Sequence, residues 1–320
     1  MTEISYGTYK NIDAVVLENA DLRVTLLPQW GSKIVSIIYK PDAHDVLWQE
    51  PGEEICIPAD DAPYGRTDSI GFDEMFPTIS RCFYENAPWT GIEMQDHGEV
   101  RALPWTYEMN RDNVRLWVHG LRFPYRLEKT IRLNGTTISI DYTAANLSPA
   151  DLEYIWAAHP LFNASPDMEL TVPPGMNSII NAVPGATLSS YGKQYHFPQA
   201  ALDNGAACDL AHMPARGTGG YQKYYFREKV TEGWCLLYDP AHRLNIGLVF
   251  PKETVPYLGM WVNAGGWGDQ YVIAPEPATG AMDRVDAAKL WGMNSVLPAH
   301  GSRSWFLQIV LQTGERMLSL

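Results

Sequence analysis

The chain is organised around ten residues, Tyr271 to Gly280, which read YVIAPEPATG. The first four, Tyr271 to Ala274, are apolar and predict a buried strand. We expect this strand to break at the prolines that follow, because a proline lacks a backbone N–H and fixes φ. Glu276 lies between those prolines, where a general base can be positioned rigidly. The alternative is that Glu276 belongs to a surface turn.

Sequence on either side of this stretch reads as β structure nearly throughout. Apolar residues alternate with polar ones in several short runs, which predicts strands. These runs lie at 22–26, 34–38, 114–118, 138–142 and 307–311. With 26 glycines and 23 prolines in the chain, the pattern predicts an all-β fold, a large antiparallel sandwich rather than alternating βαβ units. No linker is visible, so we expect residues 1–320 to form a single domain.

The best helix candidate directly follows the central stretch. Asp283 is a residue type that can cap a helix, and it precedes the run from Arg284 to Trp291. Gly292 follows that run, at a position where glycine often ends a helix. The sequence therefore predicts one short helix capped by the side chain of Asp283.

Composition excludes several classes of partner. The 320 residues carry a net charge of −13, which argues against nucleic acid or an anionic membrane surface as partner. No apolar run approaches the roughly 18 residues of a membrane span. Four cysteines, Cys56, Cys82, Cys208 and Cys235, lie far apart without a C-x-x-C pair, which favours a reduced protein. Residues 1–5 show no signal pattern, and we expect a cytoplasmic location.

Two histidines far upstream of Glu276 stand out by their local context. His97 precedes Gly98, where backbone can approach a ligand closely. His159 ends an apolar run and is followed by Pro160. A single histidine in either setting is more often structural. Two of them together with Glu276 form an acid/base combination, since imidazole changes charge near neutral pH while a carboxylate accepts a proton.

These stretches resemble the signature of the galactose mutarotase-like (aldose 1-epimerase) family, in the same order. The resemblance covers residues 15–312 and rests on four motifs, none of which is specific alone. They are His97-Gly98 followed by Trp105, His159 followed by Phe162-Asn163, Glu276 followed by Asp283, and the segment 123–127 (FPYRL) before a strand.

The resemblance implies a β-supersandwich of large antiparallel sheets with a few short helices, and an enzyme without cofactor. The absence of clustered ligand residues in the sequence predicts that no metal is needed. It implies a hexose or related sugar as the small-molecule substrate, whose α and β anomers are interconverted by ring opening. By the same resemblance, Glu276 takes the proton of the C1 hydroxyl and His159 protonates the ring oxygen. His97 holds or shares that proton. The oligomeric state is left open.

The sequence also departs from the family pattern. The family carries an Asn-Arg pair ahead of the first histidine, and the corresponding region 71–81 has none, although Arg81 lies close. No counterpart of the family's substrate-holding aspartate is found between His159 and Glu276. Asp73 and Glu74 are either replacement acceptors for sugar hydroxyls or part of a solvated turn.

Other residues are candidates for sugar contact. Trp261 and Asn263 precede the Glu276 strand and offer an aromatic face and an amide, although core packing is the more frequent role of a tryptophan in a β protein. An anionic sugar would need a cluster of arginines, for which the candidates are Arg66, Arg81, Arg101 and Arg122.

Three rival functions come from other classes. The first is a carbohydrate-binding protein that keeps the cleft without catalysis, since fold does not fix function. The second is a metal-dependent cupin-like enzyme, in which His97 and Glu99 would share one strand face. The sequence lacks the clustered histidines that such a site uses. The third is a carbohydrate lyase-type or structural β domain.

Overall fold

The protein is described by a computed structural model in which almost every regular element is a strand. The described residues are 1–49, 55, 57–59, 61–65, 69–184 and 187–320, so Cys56 and Arg66 lie outside them. Within these ranges there is one helix, α1 (Val285–Leu290). No helix in the described ranges is long and apolar enough to cross a membrane.

The strands in chain order are β1 (Glu3–Tyr9), β2 (Ile12–Glu18), β3 (Leu22–Leu27), β4 (Lys33–Tyr39), β5 (His44–Asp45), β6 (Phe72–Met75), β7 (Cys82–Phe83), β8 (Glu93–Met94), β9 (Thr106–Met109), β10 (Val114–His119), β11 (Tyr125–Asn134), β12 (Thr137–Asn146), β13 (Leu152–Tyr154), β14 (Ala157–Pro160), β15 (Phe162–Asn163), β16 (Glu169–Thr171), β17 (Ser178–Asn181), β18 (Gln194–His196), β19 (Gln199–Ala201), β20 (Ala207–Asp209), β21 (Tyr221–Phe226), β22 (Trp234–Asp239), β23 (Leu244–Val249), β24 (Tyr257–Ala264), β25 (Tyr271–Ala278), β26 (Ser295–Leu297) and β27 (Ser302–Thr313).

Two large antiparallel sheets dominate the fold. The first has the order β1-β2-β3-β4-β6-β14-β25-β24-β21-β17-β18, with β5 on β4 and β15 on β25. The second has the order β16-β22-β23-β27-β12-β11-β10-β9. The five strands that the sequence predicts from alternation correspond to β3, β4, β10, β12 and β27. The prediction of an all-β fold built from large antiparallel sheets is therefore confirmed.

The main hydrophobic core lies between the two large sheets. On β10, β11, β12 and β27, buried residues alternate with half-buried or exposed ones, so one face of the second sheet packs inward. Trp156, which directly precedes β14 of the first sheet, contacts Tyr142 and Trp305 of the second, with ring centroids 4.8 and 5.1 Å apart. The residues of β25 are buried on both faces, because loops cover the outer face of the first sheet as well.

Strand β25 does not break at its prolines, contrary to the sequence prediction. Neighbouring positions of an antiparallel strand point their N–H groups to opposite sides. Thr279 N donates to Trp156 O, on the side of β14. Pro275 and Pro277 lie four and two residues earlier, so their missing N–H groups fall on this same side. Pairing on that side is interrupted between Ile273 and Ala278, whereas pairing with β24 is continuous. The prolines are tolerated because they occupy only the interrupted side.

The helix forms where the sequence predicts it, but its capping differs. Helix α1 lies within the predicted range, and Gly292 follows it with φ +66. The N-cap residue is Arg284, and no side chain caps the helix. Asp283 instead has φ +64 and turns its carboxylate toward Tyr225 of β21. The prediction that Asp283 caps the helix is therefore wrong, and its side chain serves the site described next.

Candidate active site

A cavity of about 200 Å³ lies on the outer face of the first sheet, away from the main core. Drug-sized ligands occupy pockets of roughly 300–1,000 Å³, so this volume favours a smaller ligand such as one sugar ring. Strands β14, β21, β24 and β25 contribute to its wall, and the remaining residues come from loops. Its lining consists of Tyr64, Ser69, Ile79, Ser80, Asp96, His97, His159, Val183, Lys223, Trp261, Trp267, Glu276 and Asp283.

Glu276 projects into this cavity from the middle of β25 and is completely buried. Its Oε2 accepts a bond from the ammonium group of Lys223. Its Oε1 has no hydrogen-bond partner among the described residues. Burial raises the pKa of Glu276, which the charge of Lys223 opposes and that of Asp283 reinforces. A buried carboxylate with one free oxygen and a raised pKa has the properties of a general base.

His159 lies beside Glu276 because of strand register. Phe162 faces Ile273 and Ala157 faces Ala278, and the same register puts His159 opposite Glu276. The distance from His159 Nε2 to Glu276 Oε1 is 3.7 Å. Burial lowers the pKa of His159 well below its usual value, and the charges of His97, Lys223 and Lys33 act in the same direction. The His159 imidazole is therefore neutral at physiological pH.

His97 approaches the same point from a turn after β8. Its φ is +59, and Gly98 follows with φ +71. A side chain at Gly98 would meet Phe76 O at 2.1 Å, which is why glycine is required there. The His97 and His159 ring centroids are 5.3 Å apart.

Two side chains lie against the His97 ring. Asp96 Oδ1 lies 3.3 Å from His97 Nδ1, and the Tyr64 ring stacks on the imidazole at 3.6 Å. The pKa of Asp96 is lowered, because hydrogen bonding and charge from His97, with the charge of Arg101, outweigh the effect of burial. Asp96 is therefore an ionised carboxylate that can balance a positive charge on His97.

Sequence reasoning missed Lys223, which connects the carboxylates of the site. Its ammonium group contacts Glu276 and lies 3.7 Å from Asp283 Oδ1. Tyr225 Oη donates to the same Asp283 oxygen at 2.6 Å. Burial disfavours the charged lysine, but the carboxylates of Glu276 and Asp283 outweigh it and raise the pKa of Lys223. The signal was a lysine within the aromatic strand YQKYYF, since a buried lysine needs a carboxylate partner.

Gly259 gives these groups room to meet. It lies between Tyr225 and Glu276 in the pairing of β21, β24 and β25. A Cβ atom at this position would meet the Tyr225 ring at 2.9 Å. The absence of a side chain at Gly259 therefore makes room for the Tyr225 ring, whose hydroxyl donates to Asp283.

Of the two predicted sugar-contact residues on β24, only Trp261 lines the cavity. Its ring forms a wall with Trp267, at a centroid distance of 6.4 Å. Asn263 is buried and bonds within the turn after β24, where Nδ2 donates to Trp267 O and Oδ1 accepts from Gly265 N and Trp267 N. Asn263 therefore positions the aromatic wall instead of facing a ligand.

Asp73 and Glu74 are neither a solvated turn nor part of the cavity lining. Both lie on β6 and are 1% exposed, with side chains on opposite faces of the sheet. Asp73 pairs with Lys33 at 2.6 Å, on the same face as His159. Glu74 points into the main core and pairs with Lys129 at 3.0 Å. The Glu74 carboxylate and Asp73 Oδ2 are therefore used within the protein, whereas Asp73 Oδ1 is buried without a hydrogen-bond partner among the described residues.

The three arginine candidates within the described residues do not line the cavity. Arg81 is exposed and pairs with Glu93. Arg101 is buried and donates to Asp96 O and to Ala62 O. Arg122 pairs with Glu99 at 3.0 Å. The described lining contains three carboxylates and one lysine, a balance that disfavours an anionic ligand.

The geometry expected for a cupin-like metal site is not formed. His97 and Glu99 lie in an irregular segment and not on one strand face. The Glu99 carboxylate accepts bonds from Tyr125 Oη at 2.7 Å and Arg122 Nη1 at 3.0 Å, so it is already engaged away from His97.

Comparison with known proteins supports the fold. No protein-family model and no curated protein matches this sequence. Among solved structures, the chain is similar to the Slr1438 protein from Synechocystis sp. PCC 6803, with a TM-score of 0.72, 18% identity and coverage of 98% of this chain and 100% of that one. It is also similar to a galactose mutarotase-like protein from Lactobacillus casei ATCC 334, with a TM-score of 0.68, 19% identity and coverage of 93% of this chain and 100% of that one. A galactose mutarotase-like protein from Clostridium acetobutylicum has a TM-score of 0.69 and 12% identity, with coverage of 98% of this chain and 99% of that one.

These likenesses show that the chain has the galactose mutarotase-like β-sandwich fold, in agreement with the resemblance found in the sequence. At this level of identity they establish the fold alone.

Proposed function

We propose that this protein is an aldose 1-epimerase-type enzyme, which opens and recloses the hemiacetal ring of an uncharged hexose or related sugar. One observation carries the proposal: the unpartnered Glu276 Oε1 shares a cavity of sugar size with His159 at 3.7 Å and with His97. Ring opening needs a base at the C1 hydroxyl and an acid at the ring oxygen, and these residue types supply both.

In the first half-reaction, Glu276 Oε1 removes the proton from the C1 hydroxyl. The O1 electron pair forms the aldehyde C=O as the bond from C1 to the ring oxygen breaks. The ring oxygen takes a proton from the acid and becomes a hydroxyl. After rotation about C1–C2, the same groups act in reverse, so no proton or electron is gained or lost.

The identity of the acid follows from the charges around the two histidines. His159 is neutral because burial lowers its pKa, so it cannot act as an imidazolium donor at rest. Asp96 Oδ1 lies 3.3 Å from His97 Nδ1, where the carboxylate can stabilise a positive charge on the ring. We therefore assign the acid role to His97 and a hydrogen bond to a sugar oxygen to His159. This exchanges the two roles that the family resemblance implies.

Lys223 completes the arrangement around the base. Its ammonium group contacts Glu276 Oε2 and leaves Oε1 for the substrate. Burial raises the pKa of Glu276, and the positive charge of Lys223 opposes this rise and so favours the ionised carboxylate. Trp261 and Trp267 offer apolar faces on which the C–H groups of a sugar can stack.

Saturation-transfer NMR between α and β anomer signals tests the proposal across a panel of neutral aldoses and their 6-phosphates. We expect faster exchange than in buffer for at least one neutral aldose, and a weaker effect on its phosphate. If the protein binds a sugar tightly but leaves its exchange at the buffer rate, it is a carbohydrate-binding protein without catalysis. That outcome would refute the proposed function.

A further inference from the structure

A second cluster of chemically active side chains lies outside the cavity, where two hairpins meet. His44 begins β5, Asp239 ends β22, and His242 lies in the turn between β22 and β23. One potential ligand atom from each of the three lies within 4.8 Å of the others. The His44 and His242 rings are stacked, with centroids 3.8 Å apart and an interplanar angle of 18°. None of the three lines the candidate active site.

A local turn accounts for only part of this cluster. In the sequence Asp239-Pro240-Ala241-His242, the aspartate accepts from Ala241 N at 2.9 Å and contacts His242 Nδ1 at 2.7 Å. The same Asp-x-Ala-His turn occurs at 209–212, where the corresponding distances are 2.9 and 3.0 Å. The third group near the second turn is Glu169, 3.8 Å from His212. Turn formation therefore explains the aspartate–histidine pair but not the imidazole of His44.

The electrostatics of the cluster suit a cation. The Asp239 side chain is 2% exposed and, among the described residues, it forms an ion pair with His242. Its other oxygen accepts from Ser165 Oγ and Ala241 N. Buried carboxylates are normally paired with a cation or coordinate a metal.

We propose that His44, Asp239 and His242 bind a divalent transition-metal ion of the Zn²⁺ type. Two imidazole nitrogens and a carboxylate oxygen are a common zinc donor set, with a fourth position available to water. Zinc bonds of about 2.0–2.2 Å place tetrahedral ligand atoms roughly 3.3 Å apart. The three side chains must therefore close in and the stacked rings must splay, which the half-exposed His242 can do by rotating.

The bound ion would have a structural effect. It would tie the β4–β5 hairpin of the first sheet to the β22–β23 hairpin of the second, and binding to the folded state alone would stabilise the protein. Because the cluster is separate from the cavity, this inference does not depend on the proposed function.

Titration of metal-free protein with Zn²⁺, followed by calorimetry, tests the site, with Co²⁺ absorption as a second readout. We expect one equivalent to bind to the wild type and to raise its melting temperature. His44→Ala should weaken Zn²⁺ binding by at least about 100-fold, because loss of a residue that only supports a metal ligand already lowers metal affinity by about 10–100-fold. His212→Ala, in the matching turn that lacks a second imidazole, should bind Zn²⁺ as the wild type does.

His44→Gln provides a second variant, and circular dichroism establishes that each variant is folded. The proposal is overturned if wild type does not bind Zn²⁺, or if folded His44→Ala or His44→Gln binds it undiminished. It is also overturned if Co²⁺ shows a thiolate charge-transfer band, which would place the metal on a cysteine.

Discussion

Replacing Glu276 by glutamine removes the proposed base while keeping its shape. The amide oxygen can take the place of Oε2 beside Lys223, which leaves an NH₂ group where Oε1 faces the cavity. An NH₂ group donates a hydrogen bond but cannot take the proton of the C1 hydroxyl. Lys223 keeps a carboxylate within 3.7 Å, since Asp283 is unchanged. We therefore expect Glu276→Gln to fold and to bind sugar.

The expected loss is in the rate of anomer exchange. A positioned general base contributes about 10²–10⁴-fold, equivalent to about 2.7–5.4 kcal/mol of transition-state stabilisation. Because Glu276 is completely buried, bulk water cannot replace it easily, and the loss should lie in kcat more than in substrate affinity. Saturation-transfer NMR measures exchange, and calorimetry measures binding on the same samples.

Glu93→Gln is the matched control, because it removes a surface carboxylate that pairs with Arg81. Its exchange rate should equal that of the wild type. The reasoning is refuted if Glu276→Gln binds sugar and retains more than about one tenth of the wild-type rate, since a general base accounts for at least about 10²-fold.

Three further predictions follow from the charges of the site. The alkaline limb of the kcat/KM pH profile should persist in His159→Gln and disappear in His97→Gln, whereas the opposite pattern would return the acid role to His159. The acid limb of the same profile should lie above the ordinary glutamate range, because burial raises the pKa of Glu276. Because the pKa of His159 is lowered in the folded state, His159 takes up a proton only in the unfolded chain as pH falls through about 6.5. The free energy of unfolding should therefore fall below this pH by up to about 1.4 kcal/mol per pH unit. Urea unfolding at several pH values should give a shallower pH dependence of stability for His159→Gln, and the same pH dependence as in the wild type would contradict this. Exhaustive chelation should leave the exchange rate unchanged, since the proton transfers use side chains alone; activity lost on chelation and restored by metal would show that the chemistry depends on an ion.

The sequence alone was sufficient to predict the fold class and the main catalytic candidates. Alternating apolar residues identified strands such as β12 and β27, because periodicity reports directly which face of a strand is buried. The order of the motifs around His97, His159 and Glu276 indicated the mutarotase-like fold. The structure brings these three residues to one cavity.

Only the tertiary structure decided which charged side chains contact one another in and around that cavity. Lys223 on β21 contacts Glu276 on β25, although the two residues are 53 positions apart in sequence. Asp73 and Glu74 look alike in sequence, yet their side chains lie on opposite faces of β6 and pair with different lysines.

The same holds for the prolines beside Glu276 and for the charge on His159. Pro275 and Pro277 break an isolated strand, but they are accommodated here because their missing N–H groups fall where pairing with β14 is interrupted. The pKa of His159 depends on burial and on charges from three separate elements. Sequence periodicity encodes the environment of each residue along its own strand, whereas register and electrostatics arise from strands that meet only in the folded protein.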